Sequence, residues 1–482
     1  MGTMNTTTLN LNPIFAKHPH VKTMLTKLGH HGFEAVLIGG VVRDAIRSQL
    51  DPDIPFRAEE VDIATEATPD QVQRAFPDWQ AVEVGKSFGV LMLTTPHGQR
   101  YEIATYRTES DYDGRRPGKV KLVRSLKQDV QRRDFTINGL AAHLDGTVID
   151  EVGGIEDLQR NCIRTIGDPE ARFSEDFLRM LRAVRFACKL DADIEPSTAD
   201  AIRKHASGLT SISQERIREE LFKLLATSQS KRGFEWLSEL HLLLHILPEI
   251  ENLKDVPQPP KHHPEGDVYV HTLLALHWAD QLRLSPLSKL AVLLHDIGKP
   301  QALINNNGEH MGGHDHIGAQ MAEQIGQRLR LSKADMHTLK FTTAEHMRIA
   351  KLPAMTTPHQ LKMIQSGLDQ DTASNVPHEV SNFKTLLEVM VCDAQACAHQ
   401  SEAWLPVMQT LPDCLLRLRD IEQLESAQKL LNGHDLIQMG MKPGPKIGDV
   451  LQHVYDQILA GHIQSREQAL EAARSEVALQ QN

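Results

Sequence analysis

The sequence predicts an α+β protein, with a mixed α/β segment first and a helical remainder after it. Two patterns along the 482 residues indicate this. Before about Phe173, short apolar runs alternate with glycine turns, which is typical of strands and their connections. After it, apolar residues recur with the 3.6-residue period of amphipathic helices. Because apolar residues make up 40% of the chain, we expect a sizeable buried core.

The first predicted unit is a strand, a glycine turn and a helix. Residues 33–38 (FEAVLI) form an apolar run, Gly39 and Gly40 follow, and VVRDAIRSQL has helical spacing. Such a turn lets the backbone approach a ligand closely and points amide groups at an anion. Arg43, one turn into the helix, could add a charge-assisted contact to phosphates. Further strands are predicted at VDIAT, GVLMLTT, RYEIATYR and GTVIDEV.

Three acidic residues on the predicted strands are candidate metal ligands. Glu60 and Asp62 stand two residues apart, so on a strand both point to the same face. Glu102 in RYEIATYR is a candidate third carboxylate on a neighbouring strand. Carboxylates grouped in this way can share one or two Mg²⁺ ions. Two acids before a strand are, however, also typical of an ordinary solvated strand start.

Charge and cysteine content limit the class of protein. The net charge of −11 argues against a chain coated for nucleic acid, yet residues 115–133 carry eight basic residues against one acid. This segment is either a solvated loop or a groove for phosphates. The five cysteines form no CxxC pair and indicate reduced thiols. No apolar run is long enough for a membrane span or a secretory signal, so we expect a cytoplasmic protein without a membrane partner.

The segment EDFLRMLRAVRF is predicted to be a helix that carries Asp176 and Arg179 on one face. Aspartate accepts hydrogen bonds and arginine donates them, so together they match the Watson–Crick edge of C or A. G and U present the reverse pattern and would leave buried polar groups unsatisfied. The alternative is a surface helix with i, i+3 ion pairs.

Histidines cluster in the second half of the chain. Ten of the 25 lie between His262 and His346. The His-Asp dipeptide occurs three times, and LLHDIGKP stands out because an apolar helix delivers His295 and Asp296 to its end. Mixed imidazole and carboxylate ligands suit Mg²⁺ or a divalent transition metal, and the sequence does not choose among them.

The order of these motifs strongly resembles that of class II tRNA nucleotidyltransferases, a branch of the polymerase-β-like superfamily. The resemblance covers nearly the entire chain. It implies a polymerase-β-like head (1–165), a helical neck (166–255), an HD metal-dependent phosphohydrolase domain (256–400) and a helical tail (401–482). The motifs that carry it are LIGGVVRD, EVDIATEATP, GKSFGV, EIATYR, RRDFTINGLA, VGGIEDL, EDFLRMLRAVRF and GMKPGPKIG.

The resemblance also implies an activity, its ligands and the residues that bind them. The activity is the addition of C and A to the 3′ end of tRNA from CTP and ATP, with Mg²⁺. Glu60 and Asp62 would carry the metals, and the chain departs from the family at Glu60, where the family has aspartate. The implied nucleotide-binding residues are Gly39, Gly40 and Arg43 for the triphosphate, Arg133 and Asp134 around sugar and phosphates, Asp176 and Arg179 for the base, and Arg182 and Arg185 nearby.

The histidine-rich region resembles the HD phosphohydrolases, in which a divalent ion activates water for attack on a phosphoester. The implied substrates are 2′,3′-cyclic phosphates or 2′-phosphates at RNA ends. The implied metal ligands are His271, His295, Asp296 and Asp393, with His314 and His346 at positions used by larger HD sites.

Three alternatives remain at this point. A bacterial poly(A) polymerase shares the head and neck, but usually carries a GRRF-like stretch where this chain has GKSFGV. Nucleotide-signalling enzymes combine similar domains, but either the domain order or the motifs do not fit. An HD phosphohydrolase with a transferase head that has decayed through Glu60 is the third. The oligomeric state and the share of CCA that the enzyme adds are not predicted.

Overall fold

The computed structural model describes residues 8–56, 60–83, 89–112, 114, 117–259, 263–367, 382–397, 402–459 and 462–481. The chain divides into two compact units. The first comprises Met1–Ala344 and Gln395–His399, and the second comprises Glu345–Ala394 and Gln400–Asn482. The finer four-part division predicted from the sequence stays a prediction.

The head contains a mixed sheet and a separate hairpin. Its strands are β1 (Ala35–Ile38), β2 (Asp62–Thr65), β3 (Gln80–Glu83), β4 (Val90–Thr94), β5 (Arg100–Thr105), β6 (Arg107–Tyr112), β7 (Pro117–Leu122), β8 (Ala141–Ala142) and β9 (Val148–Ile149). The seven-stranded sheet has the order β3-β4-β5-β2-β1-β8-β9, and β6 pairs with β7. Neighbours in the sheet are antiparallel, except that β2 and β5 are parallel. The strands predicted from the sequence are therefore confirmed, although GTVIDEV forms only the two-residue β9.

Within the described part of the head, six α-helices accompany this sheet. They are α1 (Asn12–Lys17), α2 (Pro19–His30), α3 (Gly40–Leu50), α4 (Pro69–Ala75), α5 (Leu126–Gln131) and α6 (Gly154–Gln159). One core cluster joins both layers through Val36 and Ile38 of β1, Ala64 of β2 and Val130 of α5. Burying these side chains contributes about 1.5–3 kcal/mol for each large one, so β1 and β2 are held firmly where their ends approach the candidate site.

The chain after the head is largely helical, as predicted. Two short parallel strands, β10 (Cys162–Ile163) and β11 (Asp193–Ile194), are the described exceptions. The helices here are α7 (Pro169–Glu175), α8 (Leu178–Leu190), α9 (Pro196–His205), α10 (Gln214–Leu225), α11 (Ser230–Glu239), α12 (Leu243–Ile246) and α13 (Pro248–Glu251).

The prediction of one continuous helix over EDFLRMLRAVRF is wrong at its start. Asp176 lies between α7 and α8 with extended backbone angles (φ −150°, ψ 104°). Its carboxylate accepts a hydrogen bond from the Leu178 backbone N–H at 3.1 Å. Asp side chains commonly bond to a backbone amide two residues on in turns, so Asp176 ends α7 and orders the turn into α8, which begins after Phe177.

The histidine-rich region folds as α14 (Val268–Gln281), α15 (Pro286–Leu294), α16 (Lys299–Asn305), α17 (His314–Arg328) and α18 (Lys333–Ile349). The boundary between the two units falls within α18. The buried Lys289 on α15 donates to Asp280 on α14 at 2.6 Å, which ties the two helices together. The apolar helix α15 ends at Leu294, so His295 and Asp296 stand directly at its C-terminal end, as predicted.

The second unit is helical throughout its described residues. After the end of α18 it contains α19 (Thr357–Gly367), α20 (Asn382–Ala396), α21 (Leu405–Leu430), α22 (Gly433–Gln438), α23 (Pro445–Leu459) and α24 (Arg466–Gln481). Its core includes Leu431, Leu436, Val450 and Val454. No helix among the described residues combines the length and apolar character needed to cross a membrane.

Candidate active site

The turn between β1 and α3 forms one wall of the candidate site. Gly39 has φ 77° and ψ −131°, a conformation that favours glycine. A Cβ atom at this position would stand 3.5 Å from Arg133 Nη1 and 3.7 Å from Asp62 Oδ2. The backbone of the turn therefore lies directly beside a carboxylate and a guanidinium. The first amides of α3 have no partner within the helix and can bind an anion here.

The sheet brings two of the three candidate carboxylates together. Asp62 opens β2 and stands opposite Glu102 in the parallel register with β5. Neighbouring strands are about 4.8 Å apart, and paired positions point to the same face. Glu102 is therefore on the strand next to Asp62, as predicted. Glu60 precedes β2 and is exposed, so the prediction that it shares a strand with Asp62 is wrong, because pairing in the sheet begins only at Asp62.

The three acids influence one another electrostatically. Desolvation raises the pKa of Asp62, and Glu60 raises it further, although the positive charge of Arg133 opposes the change. Desolvation also raises the pKa of Glu102, and Asp62 and Glu60 add to this effect against Arg107. Like charges that raise one another's pKa in this way attract a cation.

Arginines line the same cavity. A cavity of about 190 Å³ is bounded by polar and apolar side chains of the head, namely Asp62, Glu102, Arg107, Arg132, Arg133, Ile38, Ile63, Val90 and Ala104. Arg133 contacts Asp129 at 3.4 Å, and its Nε is buried without a hydrogen-bond partner in the described structure. Carboxylates for a cation and guanidiniums for phosphates thus share one cavity.

Arg43 and Asp134 belong to one buried network beside this cavity. Arg43 Nη1 donates to Asn138 Oδ1 at 2.6 Å, and Asn138 Nδ2 donates to Asp134 Oδ1 at 3.0 Å. Arg182 donates to the other oxygen of Asp134 at 2.6 Å and 2.8 Å. Burial alone would raise the pKa of Asp134, but Arg182 and Asn138 hold it far below its usual value. Asp134 is therefore an ionised carboxylate that positions these two side chains.

The ring of Phe186 contacts three arginines, one on α3 of the head and two on α8. The guanidinium carbons lie 4.1 Å (Arg185), 5.2 Å (Arg43) and 5.5 Å (Arg182) from the centre of its ring. Arg185 also donates to the buried Glu220 at 2.6 Å. Cation–π contacts of this kind stabilise a charge by about 0.5–2 kcal/mol. Three predicted nucleotide-binding arginines are thus held around a single aromatic side chain.

The predicted base-selecting pair is close in sequence but not paired in space. Asp176 Oδ2 accepts from Arg216 Nη2 at 2.7 Å, and Arg179 Nη1 donates to Glu175 Oε2 at 2.5 Å. The second nitrogen of Arg179 donates to the Arg132 carbonyl at 3.0 Å. Each side chain thus has a partner that a base edge would have to replace.

The histidine centre comprises His271, His295, Asp296 and His314, and its three imidazoles share one hydrogen-bond arrangement. In each of three buried histidines, Nδ1 faces an oxygen acceptor within hydrogen-bond distance. These are His271 with Glu265 Oε1 (2.8 Å), His295 with the Val292 carbonyl (2.6 Å) and His314 with the Met311 carbonyl (2.9 Å). A bond from Nδ1 to a fixed oxygen orients each ring and directs its Nε2 to the opposite side, an arrangement that is common in metal-ligating histidines.

The three Nε2 atoms face Asp296. Its carboxylate lies 3.2 Å from His295 Nε2, 3.4 Å from His314 Nε2 and 4.0 Å from His271 Nε2. Lys299 Nζ approaches it to 2.5 Å. Burial alone would raise the pKa of Asp296, but the charges of His295 and Lys299 hold it well below its usual value. Four of the six predicted HD residues therefore converge, and the donor set fits a divalent ion.

The other two predicted ligands belong to the second unit. His346 is buried near the end of α18, and Asp393 is partly buried on α20. Their part in a metal site stays a prediction.

The basic segment 115–133 separates into two kinds of residue. Arg132 and Arg133 turn inward onto Asp129, whereas Lys119 on the hairpin is 79% exposed and pairs with Asp111. Arg115 and Arg116 lie outside the described residues, as do residues 85–88 of the GKSFGV motif. Two inward arginines therefore belong to the cavity, and the exposed part keeps both interpretations open.

Models of four protein families match successive parts of the chain, and the last two overlap over residues 358–370. The "Poly A polymerase head domain" matches residues 35–164, and the "Probable RNA and SrmB- binding site of polymerase A" matches residues 192–254. The "HD domain" matches residues 268–370, and a second domain of tRNA nucleotidyltransferases matches residues 358–473. Along the chain the matches thus run from the head domain through the RNA-binding site and the HD domain to the second nucleotidyltransferase domain.

A CCA-adding enzyme of Levilactobacillus brevis is 30% identical over 455 residues, which are 94% of this chain and 96% of that enzyme. The chain belongs to the CCA-adding enzyme family. CCA-adding enzymes of Limosilactobacillus fermentum and Bacillus subtilis are each 42% identical, over 49% and 48% of this chain. The matched regions cover 57% and 55% of those two enzymes, so the chain spans about half the length of these relatives.

Solved structures of CCA-adding enzymes confirm the fold class. The Bacillus stearothermophilus enzyme in complex with CTP is 25% identical with a TM-score of 0.57, over 97% of this chain and 99% of that one. The Thermotoga maritima enzyme complexed with tRNA is 19% identical with a TM-score of 0.55, over 98% and 97%, and shows the fold alone. The predicted α+β architecture, a polymerase-β-like head with a helical body, is confirmed.

Several residues at these sites were not singled out from the sequence. Asn138 connects Arg43 with Asp134, and it stands inside the quoted motif RRDFTINGLA, so the motif itself was a signal. Arg216 and Glu220 reach their partners from α10, 40 and 35 residues along the chain, and nothing local in the sequence indicates this. Glu265 orients His271 from the loop before α14.

Proposed function

We propose that this CCA-adding family member adds C and A nucleotides to the 3′ end of tRNA, using CTP and ATP without a nucleic-acid template. The observation that carries the proposal is Asp62, paired with Glu102 across the parallel strands and lying beside the Gly39 turn. The pocket thus combines cation ligands with a backbone and arginines suited to a triphosphate.

Magnesium fits the head through its donor set. The carboxylate oxygens of Asp62, Glu102 and Glu60 are the hard ligands that Mg²⁺ prefers. When bound, Mg²⁺ would activate the attacking 3′-hydroxyl and stabilise the leaving pyrophosphate. Arg133 Nη1 lies 3.5 Å from the point where a Cβ atom on Gly39 would stand, so it can hold the phosphates at the turn in line with that hydroxyl.

Base selection is assigned to Asp176 and Arg179. On nucleotide binding, Asp176 would accept from the exocyclic amine, and Arg179 would donate to the ring nitrogen of C or A. Their bonds to Arg216 and Glu175 keep both side chains ordered before the base arrives. Replacing one charged partner by the base edge avoids leaving either group buried and unsatisfied.

The decisive experiment is incubation of the full chain with tRNA transcripts that end before the CCA sequence. Labelled CTP and ATP are supplied with Mg²⁺, and the products are sequenced. We expect C and A to be incorporated in order, and Asp62→Ala to abolish incorporation. Uptake of ATP alone into long tails would instead identify a poly(A) polymerase. Uptake of only C or only A would define a partial CCA-adding enzyme.

The glutamate at position 60 requires its own test, because the family has aspartate there. Glu60→Asp moves the ligand oxygens by about one bond length, and Mg²⁺ demands near-ideal geometry. If the head is active as it stands, this substitution changes the rate only modestly. A change from no incorporation to robust incorporation would show a decayed transferase head.

A second activity is supported by the convergence of His271, His295, His314 and Asp296. We infer a metal-dependent phosphohydrolase acting on 2′,3′-cyclic phosphates or 2′-phosphates at RNA ends, with Mg²⁺ or a divalent transition metal. Hydrolysis of such substrates by the metal-loaded full chain should disappear in His295→Ala and persist in Asp62→Ala. Loss in both variants, or in neither, would argue against an independent HD site.

Two further expectations belong to the same proposal. The division into head (1–165), neck (166–255), HD domain (256–400) and tail (401–482) can be tested by limited proteolysis at its boundaries. A cytoplasmic location agrees with the five cysteines, all of which are present as thiols.

A further inference from the structure

A group of four potential metal ligands lies beside the HD residues and has only His271 in common with the predicted HD set. One ligand atom each from His263, Glu265, His271 and Cys397 lies within 4.8 Å of the others. Three of the four come from the loop before α14 and its first turn, and Cys397 follows α20. All four residues belong to the first compact unit.

The distances between the ligand atoms suit an ion with tetrahedral coordination. Cys397 Sγ lies 3.5 Å from His263 Nδ1 and 3.9 Å from His271 Nδ1. Zinc–nitrogen bonds of about 2.0–2.1 Å and a zinc–sulfur bond of about 2.3 Å place such ligand atoms about 3.6 Å apart at the tetrahedral angle. Glu265 Oε1 is closer to the two imidazoles, at 2.9 Å and 2.8 Å, because it is hydrogen-bonded to them here.

Burial and charge also point to a cation. The side chains of Glu265 and His271 are 7% and 0% exposed, and Cys397 is 3% exposed. The second oxygen of Glu265 is buried and accepts no hydrogen bond within the described part of the chain. One carboxylate, one thiolate and two neutral imidazoles would balance a divalent ion with no net charge, which removes the cost of burying unpaired ions.

We propose that His263, Glu265, His271 and Cys397 form a second metal centre, selective for a thiolate-preferring divalent ion such as Zn²⁺. Binding forms a metal–sulfur bond and releases the Cys397 thiol proton to solvent. The predicted HD ligands offer only nitrogen and oxygen atoms, so the HD site lacks the sulfur ligand of this second centre.

The two centres share one imidazole. His271 presents Nδ1 to the cysteine-containing group and Nε2 toward Asp296 at 4.0 Å. A neutral imidazole has a lone pair on only one nitrogen. A metal bound through Nδ1 therefore leaves a proton on Nε2 and takes His271 away from the HD centre. Occupation of the second centre should consequently weaken metal binding at the first.

Cobalt(II) titration of the metal-stripped full chain tests the proposal, because thiolate–cobalt bonds give a near-ultraviolet charge-transfer band that nitrogen and oxygen ligands do not give. We expect this band at one equivalent, its loss in Cys397→Ser, and a clear loss of affinity in His263→Ala. Cys414→Ser, a buried thiol outside the group, is the matched control and should keep the band. His314→Gln, which alters only the HD set, should also keep it.

The shared imidazole is tested by repeating the titration with excess Mn²⁺, which prefers nitrogen and oxygen ligands. We expect the apparent cobalt affinity to fall several-fold in the wild-type chain and to be unchanged by Mn²⁺ in His314→Gln. An absent band, or one that survives in Cys397→Ser, would overturn the metal centre. A band that is insensitive to Mn²⁺ would overturn the sharing of His271. Neither result bears on nucleotide incorporation, which is measured separately.

Discussion

The head and the histidine centre both use carboxylates, but they hold them in opposite electrostatic states. At the head, Asp62 and Glu102 lie at a cavity, and desolvation raises the pKa of each; Glu60 adds to the rise at both, and Asp62 adds to it at Glu102. At the histidine centre, Asp296 is 2% exposed, and His295 and Lys299 hold its pKa well below the usual value. Positive charge only partly offsets the pKa rise of the head carboxylates, through Arg133 and Arg107, whereas it outweighs burial at Asp296.

The direction of each pKa shift determines what the carboxylate contributes to folding stability without a metal. A group whose pKa is raised on folding opposes folding when ionised, so Asp62 is held in place at some cost to stability. A group whose pKa is lowered favours folding when ionised, so Asp296 helps to hold the fold together. Functional sites commonly contain the first kind, because the charge is kept ready for a ligand.

The largest expected effect is on catalysis at the head. Asp62→Ala should reduce nucleotide incorporation by about 10³-fold or more, since removal of a single transition-state stabiliser already costs 10²–10³-fold. Single-turnover incorporation into a tRNA transcript measures it. Asp78→Ala, an exposed carboxylate elsewhere in the head, is the matched control and should retain full activity. Substantial incorporation by Asp62→Ala would remove the head site from the reaction.

The next effect separates the two carboxylates by stability. In metal-free protein, Asp296→Ala leaves Lys299 buried without its carboxylate and should lower the free energy of unfolding by about 3–5 kcal/mol. Asp62→Ala should change it by less than about 1 kcal/mol. Urea unfolding followed by circular dichroism gives both values. Equal losses in the two variants would contradict the comparison.

The pH dependence of these variants sharpens the same contrast. Because the folded pKa of Asp296 is lowered, its contribution is complete above the unfolded pKa of about 4 and is lost as pH falls through the folded value. The difference between wild type and Asp296→Ala should therefore shrink only in strong acid. For Asp62, with a raised folded pKa, the stabilising contribution is present at low pH and is lost as pH rises. A stability difference for Asp62→Ala that moves the other way would reverse this assignment.

Loss of base selection should be a smaller effect than the loss of catalysis in Asp62→Ala or the loss of stability in Asp296→Ala. Asp176→Ala removes one of the two groups matched to C and A, and an unmatched polar group costs about 1–3 kcal/mol. We expect discrimination of CTP against UTP to fall by about 10- to 100-fold, measured as the ratio of kcat/KM values. Arg216→Ala keeps Asp176 but frees it, so its loss should be smaller. Unchanged discrimination in Asp176→Ala would leave Asp176 only its role in ordering the turn between α7 and α8.

Local patterns predicted the head well, because its elements depend on neighbours in sequence. The strand, turn and helix at Gly39 and the placement of Glu102 beside Asp62 followed from periodicity and motif order. The exact start of β2 and the break at Asp176 did not, since both depend on where one hydrogen-bond pattern replaces another.

Apart from Asp62 and Glu102, which the motif order placed on neighbouring strands, the long-range partners were not predicted from the sequence. Arg216 meets Asp176 across 40 residues, and Cys397 meets His263 across 134. A single arginine on an amphipathic helix, or one cysteine among five, carries no local mark of its eventual partner. Periodicity determines which face of an element is buried, and the packing of those faces determines the partners.

The smallest effect is expected from Phe186, whose ring orders three of the predicted nucleotide-binding arginines. Phe186 holds the guanidiniums of Arg43, Arg182 and Arg185, and Phe186→Leu keeps its apolar bulk while removing the ring. Loss of about 1 kcal/mol of cation–π stabilisation should raise KM for CTP and ATP by about 3- to 10-fold, with less change in kcat. Steady-state kinetics with both nucleotides measures this.

The matched control is Phe76→Leu. Phe76 is a buried aromatic residue of the head that Lys27 approaches at 5.5 Å, so this substitution removes a comparable ring away from the cavity and should leave KM unchanged. An equal rise in KM in both variants would mean that general packing, and not the ring's hold on the arginines, is what Phe186 supplies. Since the histidine centre uses none of these arginines, phosphohydrolase activity should stay at the wild-type level in Phe186→Leu.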